Sequence, residues 1–125
     1  VSTILIVEDN AKNMKLVRDV LQHHGHATLE AETGEAGLNL ALTQRPDLVL
    51  MDIQLPDIDG ATVLARIRED ASLDAMPVLA VSASVMPDEQ QRVVRSGFDG
   101  FIAKPISIKP FLAAVQRALA EGRAK

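Results

Sequence analysis

An open parallel α/β sheet, doubly wound by helices, is the fold this sequence predicts, and three observations predict it. Apolar runs near residues 4–7, 27–30, 47–51, 78–82 and 100–103 alternate with stretches of helical periodicity, the rhythm of βαβ units. No linker, repeat or low-complexity segment interrupts them, so every crossover is short and, by the handedness rule, right-handed. Four of the runs also end in chemistry: Glu8 and Asp9 close the first, Asp52 the third, Ser82 the fourth and Lys104-Pro105 the fifth. In a parallel sheet those ends share one edge, where open α/β sheets bind ligands.

The helices follow in order. Lys12 to His24 carries Leu16, Val17, Val20 and Leu21 at helical spacing, with Gly25 as the stop. Thr33 is the expected N-cap of a helix through Leu42, and Pro46 follows its end. Ala61 to Glu69 presents Val63, Leu64 and Ile67 on one face. Pro87 suits the first turn of a helix to Ser96, with Gly97 beyond it. Ile108, Phe111, Leu112, Val115 and Leu119 mark the last helix behind a Ser107 cap, and Pro110 is tolerable in its first turn. The expected architecture is a flavodoxin-like five-stranded sheet in the order 2-1-3-4-5 with five helices, occupying residues 1–125 as a single domain.

Composition narrows the function. The 125 residues carry 13 basic and 17 acidic side chains, a formal charge of −4, with the bases scattered; direct nucleic-acid binding lacks its electrostatic footprint. Phe98, Phe101 and Phe111 are the only aromatics, too few for a base-stacking platform. Cysteine is absent, which removes disulfides, thiol catalysis and thiolate metal sites. No apolar stretch approaches the roughly 20 residues that span a bilayer, so no membrane insertion is expected, and the chain enters its first strand without a signal peptide. The expectation is a cytoplasmic protein.

The polar strand ends define a site for a divalent cation and a phosphoryl group. Mg²⁺ wants oxygen ligands, usually a few carboxylates with water and phosphate oxygens, and Asp9 and Asp52 supply carboxylates. Crowded carboxylates resist ionising together, so the cluster gains from a cation. Asp52 can act as a nucleophile toward phosphorus while the cation and Lys104 neutralise charge, and Ser82 can donate a hydrogen bond to a phosphoryl oxygen.

Glu8-Asp9, Asp52-Ile53-Gln54-Leu55-Pro56 with Gly60 beyond, Ser82-Ala83 and Lys104-Pro105, in this order and at these separations, resemble the receiver domain of two-component response regulators. Val7-Glu8-Asp9-Asn10 and Asn13-Met14-Lys15-Leu16 make the chain look most like stand-alone DivK-type receivers; the receivers of hybrid histidine kinases share parts of the pattern. The resemblance implies that Asp52 accepts a phosphoryl group from a histidine kinase or histidine phosphotransfer protein. It also implies that Glu8, Asp9, Asp52 and the Gln54 carbonyl hold Mg²⁺, that Ser82 and Phe101 are switch residues, and that Lys104 contacts the phosphoryl group. Such a domain catalyses its own phosphorylation and dephosphorylation and signals to a downstream protein effector. By the same resemblance Gln54 and Ser84 flank the reacting phosphorus, and the Lys104–Pro105 bond is cis. Two departures stand out: Ser82 replaces the commoner Thr, and Phe101 replaces a frequent Tyr, so a switch at Phe101 runs on packing rather than on a phenol.

Other residues read more plainly. Asp57 and Asp59 are expected as turn residues ahead of Gly60, Asn10 as the cap of the first helix, and His23, His24 and His26 as solvated residues at that helix's end. Met14, Leu55, Pro105 and Ile106 are expected as apolar contacts for the phosphodonor around the crevice. Two competing functions fit less well. An aspartyl-nucleophile phosphatase of the haloacid-dehalogenase type needs a second acid two residues after its nucleophile, and Gln54 stands there. A flavodoxin-like nucleotide carrier needs a phosphate loop after the first strand, where Glu8 and Asp9 repel phosphate.

Overall fold

The computed structural model describes residues 2–83 and 87–122. Strands β1 (Thr3–Val7), β2 (Ala27–Ala31), β3 (Leu48–Asp52), β4 (Val78–Ser82) and β5 (Gly100–Ala103) form one sheet, all pairs parallel, in the order β2-β1-β3-β4-β5. Helices α1 (Ala11–His23), α2 (Gly34–Gln44), α3 (Gly60–Arg68), α4 (Pro87–Arg95) and α5 (Ile108–Glu121) connect them, with a 3₁₀ turn at Ala71–Leu73 that the sequence pattern did not reveal.

Side chains alternate across a strand, so each central strand feeds two cores. Ile4 and Ile6, Leu48 and Leu50, and Leu79 and Val81 pack with Met14, Val17 and Leu21 of α1 and Phe111 and Val115 of α5. Leu5 and Val7, Val49 and Met51, and Val78 and Ala80 pack with Ala41 of α2 and Val63, Leu64 and Ile67 of α3. Both cores are almost wholly aliphatic, as the shortage of aromatics requires.

The helices depart from their expected faces in two places. The inward stripe of α1 is Met14, Val17 and Leu21, the i, i+3, i+7 row, which leaves Leu16 36 % exposed. On α5 the stripe begins at Phe111, and Ile108 is 50 % exposed. Ser107 occupies the N-cap position but its side chain makes no capping bond. The other caps behave as expected: Asn10 accepts from the amides of Lys12 and Asn13, and Thr33 from that of Ala36.

The N-terminal edge of the sheet is closed by a half-buried ion pair. Asp99, just before β5, accepts from the Val78 amide at 2.8 Å and from the Arg68 guanidinium at 3.2 Å, while Arg68 also donates to the Leu73 carbonyl. Removing one partner of such a pair strands the other charge away from water. Asp99→Ala is expected to lower the unfolding free energy by about 2 kcal/mol, measured by urea denaturation, with an unchanged far-ultraviolet spectrum in the native baseline.

Candidate functional site

Strand parity and register place the site. Asp52 ends β3 on the same side as Leu48 and Leu50, and Val7 pairs with Met51, which brings Glu8 alongside Asp52. Lys104 follows Ile102 on that same side, and its amide donates to the Ser82 carbonyl at 2.8 Å. The three side chains converge: Lys104 Nζ lies 2.9 Å from Glu8 Oε1 and 2.9 Å from Asp52 Oδ2. Glu8 and Asp52 are each only 4 % exposed. The Lys104–Pro105 peptide bond is cis.

Backbone amides fix the remaining carboxylate oxygens. Gln54 N–H donates to Asp52 Oδ1 at 3.0 Å, and Asn10 N–H donates to Glu8 Oε2 at 3.2 Å. The chain leaving Asp52 is folded back on itself, with the Gly60 amide donating to the Ile53 carbonyl at 3.0 Å. A Cβ at Gly60 would stand 2.8 Å from the Asp52 carbonyl oxygen, which explains the glycine at this spacing from the acid. Asp9 stays exposed beside the pair, and one oxygen each of Glu8, Asp9 and Asp52 lie within 4.8 Å of one another. Three oxygen donors at that separation, one facing solvent, suit a hard cation that keeps part of its water shell.

Burial and the neighbouring Asp52 carboxyl push Glu8 up to about 7, against the opposing pull of Lys104 and the Asn10 amide. For Lys104, burial works against the charged form, but the hydrogen bonds to Asp52 and Glu8 outweigh it and hold the ammonium above its ordinary value. The crevice therefore holds more carboxyl groups than its ammonium can neutralise.

Ser82 is buried at the end of β4, in the parity of Val78 and Ala80. It faces the α3 side of the sheet and lines a cleft of about 350 Å³ with Gln54, Asp59, Arg92, Phe98 and Phe101. Phe101 is half-buried there. The expected donor-docking residues are not gathered into one patch. Met14 is 6 % exposed and sits in the α1/α5 core, which corrects the expectation of a partner-facing anchor: it begins the buried row of α1 instead of lying off it. Leu55 packs toward the α2/α3 core and Ile106 toward the α1/α5 core, with Pro105 exposed, so they flank the crevice from opposite sides. Ser84 lies outside the described residues.

The sequence reading missed what Asp57 does. Its carboxylate accepts from the amides of Gly34 at 2.8 Å and Glu35 at 2.9 Å, capping α2 from 22 residues away, and those bonds hold it below the usual carboxylate range. Asp59 caps α3 through the Thr62 amide at 2.8 Å. An Asp before a Gly signals a turn; nothing local in the sequence points to α2.

An acid-rich crevice with one ammonium, at the C-terminal edge of a sheet ordered 2-1-3-4-5, is the arrangement of a phosphoryl-handling signalling domain. The chain belongs to the response regulator receiver domain family, whose model matches residues 4–116. It is 40 % identical over 119 residues to the polar-differentiation response regulator DivK of Brucella anthropi, covering 95 % of this chain and 97 % of that one. Among solved structures, a response regulator from Chloroflexus aurantiacus superposes with a TM-score of 0.90 at 28 % identity, covering 95 % of this chain and 98 % of that one. The receiver domain of the sensor histidine kinase PA1611 from Pseudomonas aeruginosa, which has a magnesium ion coordinated in its active-site cleft, gives 0.88 at 27 % identity over 95 % and 98 %. The protein is a DivK-like receiver in two-component signalling, and the phosphatase and nucleotide-carrier readings are set aside. Among the described residues, no helix is long and apolar enough to cross a membrane.

The raised Glu8 value has a sign that stability measurements can check. Between its ordinary 4.5 and about 7 the folded chain holds a proton that the unfolded chain releases, so native stability falls as pH rises through that window. In EDTA, the urea unfolding free energy of the wild type should fall between pH 5 and 7.5 by on the order of 1 kcal/mol more than that of Glu8→Gln.

Proposed function

We propose that Asp52 accepts the phosphoryl group and that Glu8, Asp9, Asp52 and the Gln54 carbonyl hold Mg²⁺. The convergence of Glu8 and Asp52 on Lys104, with Asp9 in reach of both, carries this reading. Bound Mg²⁺ would supply neutralisation of charge on the phosphoryl oxygens. Asp52 Oδ attacks the phosphorus of a phosphohistidine; the P–N bond breaks, its electron pair stays on the imidazole, and the imidazole takes a proton from water. The Gln54 amide at Asp52 Oδ1 leaves Oδ2 as the oxygen that trades its ammonium for phosphorus. Lys104 then follows the added negative charge, and Ser82, one strand over, donates to a phosphoryl oxygen. Phe101 answers by repacking in the cleft it shares with Ser82, because it has no hydroxyl to bond. The domain itself catalyses the transfer and the later hydrolysis.

The donor is a histidine kinase or histidine phosphotransfer protein, and the output is contact with a protein effector in the cytoplasm. Residues 1–125 form one receiver, in keeping with the 97 % of the DivK relative's length that the match spans. The exposed Leu16 and Ile108 stand on α1 and α5, the two helices that pack on the Lys104 side of the sheet. They replace Met14 as the apolar anchors of a docking face that includes Pro105 and Ile106.

After treatment with a small acyl phosphate and Mg²⁺, intact mass should show one added phosphoryl group, absent in Asp52→Asn and in EDTA; equal labelling of Asp52→Asn would refute the assignment. Lys104→Ala should still be labelled but lose the difference in partner binding between its phosphorylated and unphosphorylated forms, read by titration calorimetry. Leu16→Ala should slow transfer from a phosphohistidine protein by about tenfold, as an apolar interface anchor does, and leave acyl-phosphate labelling unchanged. Equal slowing with both donors would place Leu16 outside the docking face.

A further inference from the structure

Helix α2 rests on chain segments next to both halves of the acidic site, at Val7 and at Ile58, without contributing a residue to it. At Gly37 a Cβ would come within 2.7 and 2.9 Å of the two γ-carbons of Val7, so α2 rests directly on the residue before Glu8. At Gly34 a Cβ would meet Ile58 Cγ1 at 2.5 Å, so the helix start also rests on the β3–α3 loop. Beside that contact the Asp57 carboxylate takes the first two amides of α2, while the helix's own cap, Thr33, takes only that of Ala36. Asp57 is thus bonded to a helix end that already has a cap, and the loop it belongs to carries Gln54.

We propose that Asp57 is a positioning residue for the metal and phosphoryl site: by tying the β3–α3 loop to α2, which is seated on β1, it holds the Gln54 carbonyl in place relative to the carboxylates that strand pairing brings together. The inference rests on the Mg²⁺ reading above. A carboxylate is suited to the task because two amide bonds and the positive end of the helix dipole all favour its charged form. The Ile53 amide still donates to the Val81 carbonyl at 3.1 Å, but residues 54–59 lie between strand and helix, so a tie at Asp57 bears on where the Gln54 carbonyl stands.

The test compares Asp57→Ala and Asp57→Asn with Thr33→Ala, which removes a cap from the same helix end but leaves the loop tied. Two readouts are taken: Mg²⁺ affinity by titration calorimetry, and amide exchange at Gln54 and Gly60 in EDTA. Asp57→Ala should weaken Mg²⁺ about tenfold, the scale seen when a support behind metal ligands is lost, with Asp57→Asn, which keeps one acceptor, in between. Exchange at Gln54 and Gly60 should accelerate by about tenfold in Asp57→Ala, and Thr33→Ala should match the wild type in both readouts. If Thr33→Ala and the Asp57 variants change alike, or if neither affinity nor exchange moves in Asp57→Asn, Asp57 is a helix cap only and the proposal is overturned. A wild type that binds no Mg²⁺ refutes the metal reading and with it Asp57's place in a metal site, whereas weakened affinity confined to the variants cannot arise from that failure.

Discussion

The ammonium of Lys104, 2.9 Å from both Glu8 and Asp52, is the constraint on which the site depends. Two carboxylates buried at the end of neighbouring strands repel, and at the effective dielectric of a protein surface such a repulsion is about 4 kcal/mol at 4 Å. One ammonium shared between them offsets part of this, and Glu8 is still raised, by its burial first and by the neighbouring Asp52 carboxyl second. Breaking even is the best that buried ionic clusters usually achieve. The free energy of folding must therefore come from elsewhere, and the two aliphatic cores on either face of the sheet are where it comes from.

The same alternation that fills both cores sorts the functional groups. Even-numbered positions in β1 and β3 face α1 and α5, and this parity carries Glu8 and Asp52 to the side of Lys104. In β4 the residue at the strand end falls on the other parity, so Ser82 looks toward α3 and the cleft with Phe101. A group attached to Asp52 at the strand edge would have Lys104 on one side and Ser82 on the other. The proposed split of labour, charge from Lys104 and a hydrogen bond from Ser82, follows from which side of a pleat each residue occupies.

Much of this was legible in the sequence because the signals were local. Strands read as apolar runs, their order came with the flavodoxin-like architecture that the short crossovers favoured, and the acids announced themselves by closing buried strands. What was not legible depends on contacts between distant segments. The rows of α1 could be drawn through Leu16 or through Met14 with similar periodicity, and only the way α1 packs into the core with β1, β3 and α5 leaves Met14 covered and Leu16 outside. Ile108 fits the α5 pattern, yet it lies at the helix start, beyond the end of the core. Asp57 carries an ordinary turn signature, and its bonds to Gly34 and Glu35 exist because α2 and the β3–α3 loop meet in space.

The two edges of the sheet use the same residue types to opposite ends. At the N-terminal edge Asp99 meets Arg68 and the Val78 amide, one anion against one cation, and the pair closes the fold. At the C-terminal edge, among the described residues, Glu8, Asp9 and Asp52 face the Lys104 ammonium, and the raised value of Glu8 relieves only part of the imbalance. Such an excess of carboxylate suits a site open to a counter-ion, and Asp9 reaches solvent while its two neighbours do not. On the proposed reading a phosphoryl group adds negative charge to an acid-rich crevice, so a cation already in place would lower the repulsion that phosphorus meets on approaching Asp52.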